Sequence, residues 1–172
     1  MVIKYLDQNT LKEAIKLKVD CFQEELAGKL TLSLNYEEEY AFYLEWMQKE
    51  KEHQDKRTLL GAFKDDVLVG TIFVSYAENG DDPNACEING LFVDLNYRKK
   101  RIAINLMKEA LNHYLDKENV IIYNHKYAPS NRFFKALGAK VYREDFQENG
   151  KLHVEVLKVS LKELLVNLIN KL

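Results

Sequence analysis

CEINGLFVDLNYRKKRIAINL, residues Cys86–Leu106, reads as a buried strand, a tight basic loop and a helix. Glu87 to Val93 is apolar and β-branched enough for an interior strand. Gly90 sits inside it, and a glycine within a strand marks a bulge or a close approach by ligand or backbone. The helix begins near Arg101 and sets Ala103, Leu106, Met107, Ala110, Leu111 and Tyr114 on one face.

Between strand and helix stand Arg98, Lys99, Lys100 and Arg101. A helix N-terminus carries partial positive charge and unpaired N–H groups, so cations there oppose the dipole. The arrangement makes sense if an anion occupies the turn, because N–H groups, dipole and cations then converge on one ligand. A solvated basic turn is the alternative.

Downstream, Val120–Tyr123 is a further strand, and the helix between it and Val93 suits a right-handed crossover to a parallel neighbour. Pro129 opens another helix and Gly138 closes it. Lys140–Phe146 and Lys151–Val159 form a hairpin around Glu148-Asn149-Gly150. Ser160 with Glu163 is a capping box for a terminal helix bearing Leu161, Leu164, Leu165, Leu168, Ile169 and Leu172 on one stripe. Packing of that stripe on its own sheet competes with a dimer contact. Upstream, Val2–Leu6 is a short strand, and Thr10 with Glu13 marks the start of a helix ending near Gly28. Tyr36 to about His53 is a second helix. Thr58–Lys64 and Val67–Ala77 are strands joined at Asp65-Asp66, followed by a polar loop over Glu78–Asn84.

The strand ending at Val93 and the loop Arg98-Lys99-Lys100-Arg101-Ile102-Ala103 resemble a signature of the GCN5-related N-acetyltransferase (GNAT) superfamily. That signature is a strand ending in Val, an R/Q-x-x-G-x-G/A loop that holds the coenzyme A pyrophosphate, and a helix. Arg98 and Ala103 match; Arg101 replaces the first glycine. A second signature, like N-x-P-A-x-x-L-Y-x-x-x-G-F, is similar to Tyr127 through Ala139. Pro129, Ser130, Phe133 and Gly138 fit, whereas Tyr127 replaces the Asn and Phe134 the Tyr.

The resemblance implies an α+β fold: one domain over 1–172 with a central mixed, mostly antiparallel sheet of about seven strands, flanked by helices. An extra amphipathic helix at about 160–172 follows. It implies acetyl-CoA as cosubstrate, without a metal, and acetyl transfer to a primary amine by direct attack in a ternary complex. A non-catalytic acyl-CoA-binding or regulatory module of the same fold is the alternative. Phe92, Val93, Arg98, Lys99, Lys100, Arg101, Ile102, Ala103, Asn131 and Phe134 become the cofactor-binding set.

The chemistry needs little covalent help. Holding thioester and amine in line replaces effective concentrations of roughly 10⁵–10⁸ M. An N–H freed by a bulge near Gly90, at Phe92 or Val93, would stabilise the developing oxyanion. A lysine-like amine, with a pKa of about 10.4, must lose a proton. Glu87 is the candidate base, at a place where the family often keeps a glutamate; exposure on the opposite face is the alternative. Phe134 cannot serve as the acid that the family's tyrosine supplies, leaving Tyr127, Tyr123 or water. For the acceptor, the family's pocket lies near the first two helices. There Glu24, Glu25, Glu37, Glu38 and Glu39 would suit a cationic amine, and Tyr36, Tyr40 and Trp46 could face a cation. A solvated acidic face and core aromatics are the bland reading. His125 follows a strand end and so falls near a site only by position.

Composition sets the bounds. The 172 residues are 47% hydrophobic and 30% charged, with a net charge of −2. That describes one globular domain with no global field for nucleic acid or an anionic membrane. Cys21 and Cys86 lie too far apart for a C-x-x-C pair. No run has signal-peptide or membrane-span length, so a cytoplasmic location is expected. The resemblance, rather than composition, implies a small-molecule or protein amine as acceptor, and the terminal helix stripe allows a homodimer. G-x-G-x-x-G and G-x-x-x-x-G-K-[ST] nucleotide motifs are absent. A plain interaction protein built around the terminal helix is the third reading.

Overall fold

The computed structural model describes residues 1–49, 55–77 and 82–170. Strand β1 (Val2–Tyr5) leads into α1 (Gln8–Leu26) and α2 (Tyr36–Lys49). Three antiparallel strands follow, β2 (Arg57–Lys64), β3 (Val67–Tyr76) and β4 (Ala85–Val93). Then come α3 (Ile102–Leu111), β5 (Asn119–His125), α4 (Ser130–Ala136), β6 (Lys140–Gln147), β7 (Leu152–Ser160) and α5 (Leu161–Asn170). The expected element order stands. His53 and most of the Glu78–Asn84 loop lie outside the described residues.

The strands form one seven-stranded sheet in the order β1-β2-β3-β4-β5-β7-β6. Among the described residues only β4 and β5 pair in parallel, as the crossover through α3 requires. One face is covered by α3 and α5, with Leu106, Met107, Leu164 and Leu168 packed on Ile72, Ile88, Val120 and Ile122. The other face carries α1 and α2: Leu11, Ile15, Tyr43 and Trp46 pack on Leu59 and Phe73, and Phe22 and Leu26 on Ile121, Val154 and Val156.

Local chemistry sets the boundaries. The first helix is capped one turn earlier than the Thr10–Glu13 reading, by Asp7: its carboxylate accepts from Thr10 N–H at 2.8 Å, and the Thr10 hydroxyl accepts from Asp7 N–H. Thr10 is thus the third helical residue of the capping box. Those hydrogen bonds, led by the Thr10 N–H, lower the Asp7 pKa. The β2–β3 turn places Asp65 and Asp66 at φ 51° and 64°, the left-handed pair a two-residue hairpin needs. Gly138 ends α4 at φ 103°, and a Cβ there would collide with the Glu163 carboxylate of α5. The α5 stripe is spent on its own domain: Leu161, Leu164 and Leu168 are buried, whereas Ile169 is 59% exposed and Leu172 falls outside the described residues. Among the described residues no helix is long and apolar enough to cross a membrane.

Candidate active site

The site begins with a change of pairing. Ala85–Ile88 pairs with Asn119–Ile122, and there the β4–β5 ladder stops. Beyond it β4 stays on β3 as far as Val93↔Gly70, and β5 stays on β7 as far as His125↔Val154. The two strands therefore part like the arms of a V, and no described strand lies opposite the inner edge of β4.

A bulge sets what points into the gap. Val74 faces Ile88 and Phe73 faces Gly90, so Asn89 is the extra residue, next to the glycine that signalled it. Gly90 lies close to Phe73 and Phe92: a Cβ would come within 2.7 Å of Phe92 Cε2 and 3.1 Å of Phe73 Cδ2. The inserted residue also reverses the strand's alternation. Before it, Cys86 and Ile88 face α3 and α5. After it, Leu91 and Val93 do so, and Phe92 turns to the α1–α2 side.

On one side of the V lies a largely apolar groove of about 520 Å³, walled by Leu91, Phe92, Val93, Ile104 and Phe133. It ends at Arg98, Lys99, Arg101, Ile102 and Ala103. Lys99 and Arg101 both stand at φ 63°, the left-handed region that a glycine would occupy without strain. Arg101 is the residue before α3, and no side chain caps that helix. The first ladder bond runs from Asn105 N–H to the Arg101 carbonyl, so the N–H groups of Ile102, Ala103 and Ile104 lack helical partners. Uncapped N–H groups, dipole and cations beside an apolar trough fit coenzyme A, whose pyrophosphate is anionic and whose arm is long and narrow.

Arg98 is held inward. Its Nε donates to the Val93 carbonyl at 3.1 Å, Nη1 to Glu24 at 3.0 Å, and Nη2 approaches Cys21 Sγ at 3.7 Å. It ties the loop to α1. Burial opposes its charge, but Glu24 and Cys21 outweigh burial and raise its pKa. Burial pushes the Cys21 thiol up to about 11, so Cys21 is a neutral thiol at neutral pH.

Across the V lies a second cavity, about 240 Å³, lined by Lys18, Glu25, Glu87, Asn89, Tyr123 and His125 among others. Glu87 faces inward toward α1 and α2 and is only 6% exposed, which removes the exposed-face alternative. A buried polar chain positions it. Lys18 Nζ donates to Glu39 at 2.9 Å and to the Tyr43 oxygen at 3.2 Å. The Tyr43 hydroxyl donates to Asn89 Oδ1, and Asn89 Nδ2 donates to Glu87 Oε2 at 3.1 Å. Burial raises the Tyr43 pKa, so the phenol keeps the proton it donates. Burial works against the Lys18 charge, yet Tyr43 and Glu39 outweigh it and raise its pKa. Lys18 is therefore a cation throughout the neutral range, and the stabilisation from this pairing is lost only as pH climbs through that raised value.

The other expected residues scatter. Phe92 lines both cavities; Val93, Arg98, Lys99, Arg101, Ile102 and Ala103 line the groove. Lys100 instead lies over the Tyr97 ring. Phe134 is buried in the core beneath α4, and its neighbour Phe133 faces the groove. Asn131 is buried, with Nδ2 donating to the His125 carbonyl at 3.1 Å, and so braces the end of β5. Tyr127 packs on the α1-side cluster, with Lys29 and Lys126 over its ring, and lines neither cavity. Tyr36 stacks on Tyr40, and Trp46 is core under Arg57. Glu24 and Glu39 are paired with Arg98 and Lys18.

One pair went unforeseen. Glu25, on α1, and His125, at the end of β5, meet at 2.6 Å between Oε2 and Nε2. They are separated by 100 positions, and no local pattern announces the contact.

A family model described as acetyltransferase (GNAT) family matches residues 13–139. The PaiA N-acetyltransferase of Thermoplasma acidophilum, solved in complex with coenzyme A, is similar in fold at a TM-score of 0.69 and 20% identity. The match covers 92% of this chain and 98% of that one. The ribosomal-protein-alanine N-acetyltransferase of Brucella melitensis gives 0.66 at 16% identity, over 94% and 100%. An aminoglycoside 6'-N-acetyltransferase complexed with coenzyme A gives 0.66 at 18%, over 93% and 97%. At these identities the likeness concerns the fold. No curated protein matches by sequence.

Proposed function

The chain belongs to the GNAT family of acetyltransferases, and on that premise we propose that it transfers the acetyl group of acetyl-CoA to a primary amine by direct attack in a ternary complex. One observation carries this reading: the two cavities meet at Glu25, Leu91, Phe92 and Ser130, in the V between β4 and β5. One arm ends in an uncapped, basic helix N-terminus, suited to a polyanionic donor. The other holds buried carboxylates, suited to a cationic acceptor.

Lys99, Arg101 and the first N–H groups of α3 receive the pyrophosphate, while Leu91, Val93, Ile104 and Phe133 line the arm's path. Acetyl-CoA would supply an activated thioester; the protein supplies position. The unpaired edge of β4 near Phe92 offers backbone N–H to the thioester oxygen, a contribution of about 10²–10³ in rate. Glu87, aimed by Asn89 and Tyr43, draws in the acceptor ammonium and removes its first proton. The acceptor is a small-molecule or protein amine.

Phe134 stands where the family's tyrosine acid stands and is sealed in the core. It is the observation that favours the other reading, an acyl-CoA-binding module without turnover. Release of thiol from acetyl-CoA across a panel of small amines and lysine peptides tests the two. Amine-dependent thiol release supports the transferase. Saturable acetyl-CoA binding with no release above the hydrolysis rate would replace it with the binding module.

A further inference from the structure

We propose that Glu25 is a proton carrier between the attacking nitrogen and the departing sulfur, held in place by His125. The inference rests on the acetyl-transfer reading above and answers the loss of the tyrosine acid at Phe134.

Glu25 lines both cavities, so its carboxylate borders the path of the thioester and the entry of the amine. Its side chain is 13% exposed and that of His125 is 7% exposed. The hydrogen bonds fix the imidazole. Tyr127 N–H donates to His125 Nδ1 at 3.2 Å, which requires a lone pair on that nitrogen. The ring proton therefore sits on Nε2 and is donated to Glu25 Oε2 at 2.6 Å. Both ring nitrogens are engaged, so His125 orients and Glu25 reacts. The ring is braced by Phe22, edge-on at 5.3 Å, and its backbone carbonyl by Asn131 Nδ2. Lys29 Nζ donates to the Glu25 carbonyl at 3.3 Å, Glu24 and Arg98 are bonded to each other, and Lys18 and Glu87 line the acceptor cavity with the pair.

The proton inventory calls for such a group. An ammonium acceptor carries two protons that it must lose, and the thiolate gains one. Glu87 takes the first before attack. As the carbon–nitrogen bond forms, the nitrogen becomes cationic again and yields its second proton to Glu25. As the carbon–sulfur bond breaks, with its electron pair leaving on sulfur, Glu25 passes that proton to the sulfur and returns to carboxylate. The products are amide and free thiol, with one proton released through Glu87. No other described carboxylate borders both cavities. Tyr123 lines the acceptor cavity alone, and Tyr127 lines neither.

The test uses the full chain with acetyl-CoA and the best amine of the panel. Glu25→Gln keeps the shape and the His125 contact but cannot carry a proton. It is expected to lower kcat about 10²–10⁴-fold, with KM for acetyl-CoA within twofold and an unchanged melting temperature. His125→Gln is expected to lower kcat less, about tenfold. Should Glu25→Gln fail to fold, Glu25→Ala provides the second arm: formate restores part of its turnover, which a packing role does not allow. Wild-type turnover together with Glu25→Gln within threefold of it, or a Glu25→Ala deficit untouched by formate, overturns the relay alone. Wild-type protein that binds acetyl-CoA but acetylates no amine overturns both the transferase reading and the relay.

Discussion

The two halves of the β4–β5 pair are built from adjacent residues of the same strands and behave as different materials. Ala85–Ile88 and Asn119–Ile122 are laddered, and Cys86, Ile88, Val120 and Ile122 are closed under α3 and α5. Four residues on, at Phe92 and Val93, β4 is half-exposed and lines cavities, and Tyr123 and Asn124 do the same on β5. The difference comes from one extra residue, Asn89, and from the loss of a partner strand. Continuous pairing stabilises a fold; interrupted pairing leaves backbone groups and side chains free to meet a ligand.

The comparison breaks hardest where chemistry and packing are removed one at a time. Glu87→Gln in the site should lower kcat about 10²–10⁴-fold, equivalent to roughly 3–5 kcal/mol of barrier, with the melting temperature unchanged; steady-state kinetics and a thermal scan check both. Ile122→Ala in the laddered half should do the reverse. Truncation of a fully buried isoleucine costs about 2–5 kcal/mol in denaturant unfolding, while kcat at low temperature stays close to wild type. A Glu87→Gln enzyme that also melts early would blur the division.

Two substitutions in the basic loop sharpen it further. Arg98→Glu sets a carboxylate against Glu24 and breaks the bond to the Val93 carbonyl. Acetyl-CoA affinity by calorimetry should fall about tenfold or more, roughly 1.4 kcal/mol; unchanged affinity would separate Arg98 from the cofactor. Arg101→Gly has the smallest effect. It relieves a left-handed residue, worth about 1 kcal/mol of stability, and should raise the melting temperature by about 2–4 °C. Acetyl-CoA binding should weaken less than in Arg98→Glu, because Lys99 and the α3 N–H groups remain.

Much of this was legible in the chain. Alternation, capping boxes and the Asp65-Asp66 turn gave the element order, since each is a local consequence of period, cap or φ. Gly90 announced the bulge, although the extra residue is Asn89. The four cations against a helix dipole pointed to the turn before α3, where the helix N-terminus has no side-chain cap. What could not be read is what the fold brings together from afar. The Lys18–Tyr43–Asn89–Glu87 chain and the Glu25–His125 pair are long-range contacts without spacing. Tyr127 and Phe134 were placed by motif position, and packing turned one onto the α1-side cluster and the other into the core. The α1 cap shifted to Asp7 because a carboxylate competes well with a threonine hydroxyl for helix N–H groups.

The most direct measurement is amide hydrogen exchange of the wild-type protein with and without acetyl-CoA, resolved to short peptides. Slowed exchange is expected at Leu91–Val93 and Lys99–Ile104, with little change at Ala85–Ile88 and Asn119–Ile122, which are already paired. Protection that spares the V and the basic loop, or none at saturating acetyl-CoA, would contradict this expectation.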